Sequence, residues 1–182
     1  RTEPGVKDIG LLAQTPLTPG PSVALHVAPL FHIGGIGRAL VQFVAGETHV
    51  LVSGFDAREV LQTIEREGVT DVLLVPTMLQ AQITHPEFDC FRLDSLQRLV
   101  YGASPIAEAV LERAVARVPG GAFTQAYGLT RAGGVTSNPP ENHGAAGRAS
   151  GLSRAAGRAG LGVAVKVVGD GGPGRGRGGG GE

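Results

Sequence analysis

The segment Val69-Thr70-Asp71-Val72-Leu73-Leu74-Val75 is nearly continuous in apolar residues. A strand with one wet face alternates apolar and polar side chains, whereas a strand buried on both faces does not. Covering both faces takes a helical layer on each side, which is the arrangement of a parallel sheet joined by crossover helices. The flanks agree. Upstream, Asp56 suits an N-cap and Glu59 takes the third helical position. Val60, Leu61 and Ile64 form an apolar stripe, and Gly68 is a terminator. Downstream, Pro76 stops the strand, Thr77–Ile83 make a short helix, and His85-Pro86 end it.

The same alternation extends in both directions. Val23 to Leu30 is an apolar run of strand length, and Phe31 to Gly35 reads as a turn. Ile36 to Ala45 reads as a helix with Ile36, Leu40, Phe43 and Val44 on its apolar side, closed by Gly46. Thr48–Val52 is a short strand. Leu96–Tyr101 is another, followed by a turn at Gly102-Ala103-Ser104-Pro105. That turn starts a helix, with Ser104 as N-cap and Pro105 at the first position. Ile106, Val110, Leu111, Ala114 and Val118 line this helix, Gly120-Gly121 close it, and Ala122–Ala126 form the next strand. Residues 132–162 show no clear pattern, and Val163–Val168 read as a last strand. The predicted class is α/β, a mainly parallel sheet with flanking helices. Ligands of such sheets sit at the carboxyl ends of the strands. The loops at His32, at Gly102–Ser104 and at Tyr127–Thr130 would then share one edge.

Residues 1–22, with Pro4, Pro16, Pro19 and Pro21, are expected to be irregular. Residues 23–168 are expected to form the folded domain, and the glycine-rich stretch 169–182, which offers no apolar side chains to bury, a disordered tail. The 182 residues carry 16 basic and 16 acidic side chains, a balance that argues against a nucleic-acid surface. One cysteine, Cys90, excludes an internal disulfide framework and fits a reducing compartment. No apolar run approaches the roughly 20 residues that span a bilayer. The start, Arg1-Thr2-Glu3-Pro4-Gly5, has no leader pattern and no initiator Met, so a start within a longer or processed protein is expected. A cytoplasmic location, with peripheral membrane contact as the alternative, follows from these readings. His26, His32, His49, His85, His143 and Cys90 show no metal-ligand spacing. Gly-x-Ser-x-Gly and Walker signatures are absent.

Two loops carry chemistry of their own. Gly102-Ala103-Ser104-Pro105 puts small residues at a helix start, where free N–H groups favour an anion or a polar ring edge. In Gln125-Ala126-Tyr127-Gly128-Leu129-Thr130-Arg131, a ring suited to stacking, a permissive glycine and a hydroxyl fall within four residues. Tyr127 is equally readable as a half-buried aromatic at a strand end. His32 is readable as a general base, a pocket wall or a structural residue.

Three stretches, Pro29-Leu30-Phe31-His32-Ile33-Gly34-Gly35, Tyr101-Gly102-Ala103-Ser104-Pro105-Ile106 and Gln125-Ala126-Tyr127-Gly128-Leu129-Thr130, together resemble the adenylate-forming enzymes. Their order suits the fatty-acyl-CoA synthetase branch. Ala146-Gly147-Arg148 and Ala156 to Val168 look like the family's later segment, so the likeness spans roughly residues 22 to 172. The resemblance implies part of the family's large N-terminal domain. It also implies activation of a carboxylate by ATP with Mg²⁺ to an acyl-adenylate, leaving AMP after transfer to coenzyme A. Gly102, Ala103 and Ser104 match the loop bordering adenine, within a nucleotide-binding set that includes Gln125, Ala126, Tyr127, Gly128, Leu129 and Thr130. Tyr127 matches the ring that stacks on adenine, and Thr130 the catalytic hydroxyl that touches phosphate. Phe31, His32 and Gly34 match the acyl-pocket segment, with a fatty acid as the implied substrate.

Arg131 departs from the pattern. The resemblance implies a magnesium-binding Glu there, and Arg has five donors and no acceptor. Thr15–Pro21 has the wrong composition for a phosphate loop ending in Pro-Lys-Gly. The ribose-binding Asp is expected after Val168, where the chain turns to glycine. Lys7 and Lys166 do not stand in the context of the family's catalytic lysine. No metal ligand is assigned. The expectation is part of a ligase that is inactive as this chain alone. A non-catalytic nucleotide- or acyl-binding module and a remnant without ligand are the alternatives.

Overall fold

The computed structural model describes residues 21–118, 120–160 and 163–166. Within them, β1 (Val23–His26), α1 (Ile33–Val44), β2 (Thr48–Leu51), α2 (Ala57–Glu67), β3 (Asp71–Leu74), α3 (Pro76–Ile83), β4 (Arg98–Gly102), α4 (Glu108–Arg117) and β5 (Ala122–Leu129) alternate as expected. They are followed by β6 (Gly133–Asn138), α5 (Ala145–Ala149) and β7 (Arg158–Ala159). One sheet runs in the order β2-β1-β3-β4-β5-β6-β7. β1 to β5 are mutually parallel, and β6 and β7 are added antiparallel. The fold is therefore α/β with a mainly parallel sheet. Of the expected irregular segment 1–22 only 21 and 22 are described, the expected tail 169–182 lies outside the described residues, and of the expected strand Val163–Val168 only 163–166 are described, in irregular conformation.

β3 is the interior strand that its composition demands. Val69, Val72 and Leu74 are buried against Val60, Leu61 and Ile64 of α2, Leu79 and Ile83 of α3, Leu99 of β4 and Phe123 of β5. α2 forms as its caps dictate. The Asp56 carboxylate accepts from the Glu59 N–H at 2.8 Å, and Gly68 adopts φ +60°. α3 begins at Pro76 itself, whose missing N–H costs nothing at a first helical position.

α1 differs from its expectation in start and in facing. It begins at Ile33 because the His32 ring Nδ1 accepts from the Gly34 N–H at 3.2 Å and caps it. Its buried residues are Gly35, Arg38, Val41 and Gln42, whereas Phe43 is 71% and Leu40 56% exposed. Two contacts set this rotation. Gly35 approaches Pro29 so closely that a Cβ would stand 2.3 Å from the Pro29 carbonyl oxygen. Arg38 makes a buried double hydrogen bond to Asp71 of β3, to which Arg98 of β4 also donates at 3.4 Å. A buried charge must be paired, and this pairing outweighs the apolar stripe in orienting a single helix.

The predicted start of α4 is corrected as well. Ser104 and Pro105 do not cap it. The helix begins at Glu108 after Ala107, without a side-chain cap. The cause is Ala103, at φ +67°, which turns the chain away before the helix starts. β5 likewise runs past its expected end at Ala126 to Leu129, because β6 folds back to pair with it.

Candidate functional site

In a parallel sheet the carboxyl ends of the strands face one way. The register Leu74↔Tyr101 between β3 and β4, and Gly102↔Ala126 between β4 and β5, brings the loops after those strands to a common edge with the one after β1. β3 and β4 intervene between β1 and β5. At a spacing of about 4.8 Å the His32 loop and Tyr127 start from strands about 14 Å apart.

β4 and β5 approach closely at their carboxyl ends. A Cβ on Gly102 would stand 2.0 Å from the Ala126 carbonyl oxygen, so this position admits glycine alone. The next residue, Ala103, is the one described non-glycine with positive φ. Left-handed backbone at a residue with a Cβ costs about 1–2 kcal/mol and persists where surrounding structure imposes it. Ser104 follows, exposed, with Pro105 holding its own φ. The outcome is a short side-chain-poor lip at the sheet edge.

Beside it stands the β5–β6 hairpin. Gln125 and Ala126 lie within the ladder, opposite Tyr101 and Gly102 on one side and Asn138 and Ser137 on the other. Tyr127 pairs with Thr136. The register then slips, and Gly128 faces Gly134. A Cβ on Gly128 would meet the Gly133 carbonyl oxygen at 2.2 Å, and Gly133 turns at φ +68°. Two glycines keep the ribbon bare next to the ring of Tyr127, which is 47% exposed. Leu129, Thr130 and Arg131 complete the tip, all exposed. The structure thus brings together the predicted residues of β4 and β5.

The His32 loop is separate from these. Phe31 is 94% exposed and His32 is exposed with its Nδ1 engaged in the cap. A small recess under Gly34 is lined by polar His26, Arg38, Gln42 and Asp71 and by apolar Leu25, Val27, Ala28 and Leu73. Of the three predicted acyl-pocket residues, Gly34 lines this recess and Phe31 and His32 do not.

Three polar groupings, two buried and one half-buried, escaped the sequence reading. The first is Arg38–Asp71–Arg98; burial lowers the basicity of Arg98 against the attraction of Asp71. Its signal was an Asp inside an otherwise apolar strand, which must have a partner. The second is His26 with His49, rings stacked at 4.9 Å and ring nitrogens 2.7 Å apart. Burial first, then the charge of His49, pushes His26 below its ordinary value. The third is Tyr101 with His143, whose ring nitrogen Nε2 lies 2.8 Å from the hydroxyl. Burial raises the Tyr101 hydroxyl far above its ordinary value and lowers His143.

The tip residues Leu129, Thr130 and Arg131 offer a magnesium ion no carboxylate. Among the described residues no group of three or more His, Cys, Asp or Glu side chains is placed to hold a metal, and the residue after Thr130 is a cation. Among them, too, no helix is long and apolar enough to cross a membrane.

The family model described as AMP-binding enzyme matches residues 8–182. The chain is 40% identical over 147 residues to the fatty acid–[acyl-carrier-protein] ligase ScoC of Streptomyces coeruleorubidus, covering 80% of this chain and 28% of that protein. It is 42% identical over 110 residues to a feruloyl-CoA synthase of an Amycolatopsis species, covering 60% and 22%. Among solved structures, the amide bond synthetase McbA of Marinactinospora thermotolerans superposes with a TM-score of 0.78 at 32% identity, covering 94% of this chain and 33% of that one. The N-terminal domain of FACL13 from Mycobacterium tuberculosis does so with a TM-score of 0.75 at 28% identity, covering 89% and 39%. The chain therefore spans between 22% and 39% of the lengths of these proteins.

Proposed function

The chain belongs to the AMP-binding enzyme family, and on that premise we propose that the edge built by Gly102–Ser104 and Tyr127–Thr130 receives an adenine nucleotide in a carboxylate-activating ligase reaction. The acyl substrate is a fatty acid and the acceptor is coenzyme A. A carboxylate oxygen displaces pyrophosphate from the α-phosphorus of ATP, and the adenylyl group it gains makes that oxygen part of an AMP leaving group. This chain's residues bind and orient. The face of Tyr127 stacks on adenine, and the bare lip at Gly102–Ala103 lets backbone groups reach the ring edge. The Thr130 hydroxyl donates to a phosphate oxygen. Fixed donors of this kind act through positioning and charge stabilisation.

The observation that carries the proposal is the pairing of Gly102, pressed on the Ala126 carbonyl, with Ala103 at φ +67°. Backbone strain in an L-residue concentrates at binding sites, and here it shapes the lip beside an exposed aromatic ring.

A second reading is favoured by Arg131. A cation next to Thr130 can meet a phosphate directly but cannot ligate Mg²⁺. The polypeptide on its own then binds nucleotide without forming an acyl-adenylate.

The test is calorimetric titration of AMP into the chain and its Tyr127→Ala variant, with ATP–pyrophosphate exchange measured alongside. Stacking worth about 1–3 kcal/mol predicts affinity lower by about tenfold or more in the variant. Exchange is expected to be absent. Lack of binding by the parent chain, or equal affinity in the variant, refutes the nucleotide site; measurable exchange refutes the second reading.

A further inference from the structure

We propose that His143 acts through Tyr101 as a positioning residue for the Gly102–Ser104 turn. The inference starts from Ala103. Its left-handed backbone relaxes unless its neighbours hold it. The residue two before it, Tyr101, is 1% exposed, with the side chain anchored beneath the sheet edge. The anchor is His143, in the turn Pro140–His143 that follows β6. The ring nitrogen Nδ1 of His143 lies 3.0 Å from the Pro139 carbonyl oxygen, which only accepts, so Nδ1 carries the proton. In the neutral ring Nε2 is then an acceptor, and the Tyr101 hydroxyl donates to it at 2.8 Å. The rings meet edge to face, 5.6 Å apart at 87°.

His143 is itself held from two further directions. Arg148 of α5 donates to its carbonyl at 2.6 Å, and the adjacent Asn142 donates to Asn138 at 2.6 Å. Asn138 pairs with Gln125 of β5 and donates to the Leu152 carbonyl at 2.9 Å. The segment after β6 thus forms a strut. It joins the strand bearing Tyr127 to the strand that ends in Gly102. Loss of the Tyr101–His143 bond releases the Tyr101 side chain from its anchor and lets Ala103 relax to negative φ.

The consequence for nucleotide affinity rests on the proposed function, so the test has a readout that needs no ligand. The Ala103 Cα chemical shift and its HN–Hα coupling both report φ. In the free chain, Tyr101→Phe and His143→Ala are expected to move both values toward those of negative φ. His143→Gln, which keeps an acceptor for the hydroxyl, is expected to restore them. Tyr101→Phe keeps the ring and decides the matter if His143→Ala does not fold. AMP affinity is expected to fall at least threefold in Tyr101→Phe. Ala103 values that stay at those of the parent in Tyr101→Phe overturn the proposal, as does, when the parent binds AMP, an affinity in the variant equal to the parent's. Moved Ala103 values in a chain that never binds AMP support the positioning role and refute the nucleotide site.

Discussion

Substituting Gly102 by Ala puts the greatest demand on the site for the smallest chemical change. The new methyl would stand 2.0 Å from the Ala126 carbonyl oxygen, so that oxygen must retreat by about 1 Å or more to reach a tolerable separation. It has nowhere to go. Ala126 is paired with Gly102 on one side and Ser137 on the other, within a continuous sheet. Overpacking of this kind costs about 1–3 kcal/mol, and a ladder hydrogen bond lost at the parted strand ends adds about 1 kcal/mol. The expected destabilisation is about 2–4 kcal/mol, or a fall in Tm of about 5–15 °C. Urea denaturation measures it, with Gly54→Ala as the control. A Cβ on Gly54 meets nothing within 4 Å, and a free surface change stays within about 0.5 kcal/mol. The two variants showing equal small losses would refute the argument that β4 and β5 are pinched at their carboxyl ends.

Asp71→Ala removes the carboxylate shared by buried Arg38 and Arg98 and is expected to cost about 3–5 kcal/mol in urea denaturation; a loss below about 1 kcal/mol contradicts the pairing. Burial holds His26 and His143 below their ordinary value of 6.5, so the unfolded chain takes up protons at higher pH than the folded one. Their contribution to stability is full above about pH 6.5 and is lost as pH falls below it, so Tm is expected to drop between pH 7.5 and 5.5. The slope should be shallower in His143→Gln, and a flat or rising profile in the parent chain is the contrary result. Leu40→Glu combined with Phe43→Ser, both on the exposed side of α1, is expected to leave Tm nearly unchanged and to reduce self-association in light scattering. A loss of about 2–5 kcal/mol, the cost of core truncation, would place that face in the interior instead.

Features that depend on near neighbours in the chain were legible in the sequence. Asp56 and Gly68 bracket α2 because caps act within one turn, and the apolar run at β3 announces its burial because two helical layers must cover it. The order of strands and helices follows, and with it the shared edge that carries Gly102 and Tyr127. What escaped depends on partners far along the chain. The facing of α1 is set by Asp71, 33 residues from Arg38, so the stripe of Ile36, Leu40, Phe43 and Val44 pointed the wrong way. The Ser104 cap failed because φ at Ala103 is imposed by packing rather than by its own preference. β6 was hidden because Gly133 and Gly134 lack any strand propensity, and they pair only because Leu129 and Gly128 of β5 oppose them. His143 gave no local sign of a role, since its partner Tyr101 is 42 residues away.

The central claim is that Tyr127 and the Gly102–Ser104 lip form an adenine-nucleotide site. Calorimetric titration of AMP into the chain and into Tyr127→Ala tests it most directly. The account predicts saturable binding by the parent chain and affinity lower by about tenfold or more in the variant. Absence of AMP binding by the parent chain, or the same affinity in both, would contradict it.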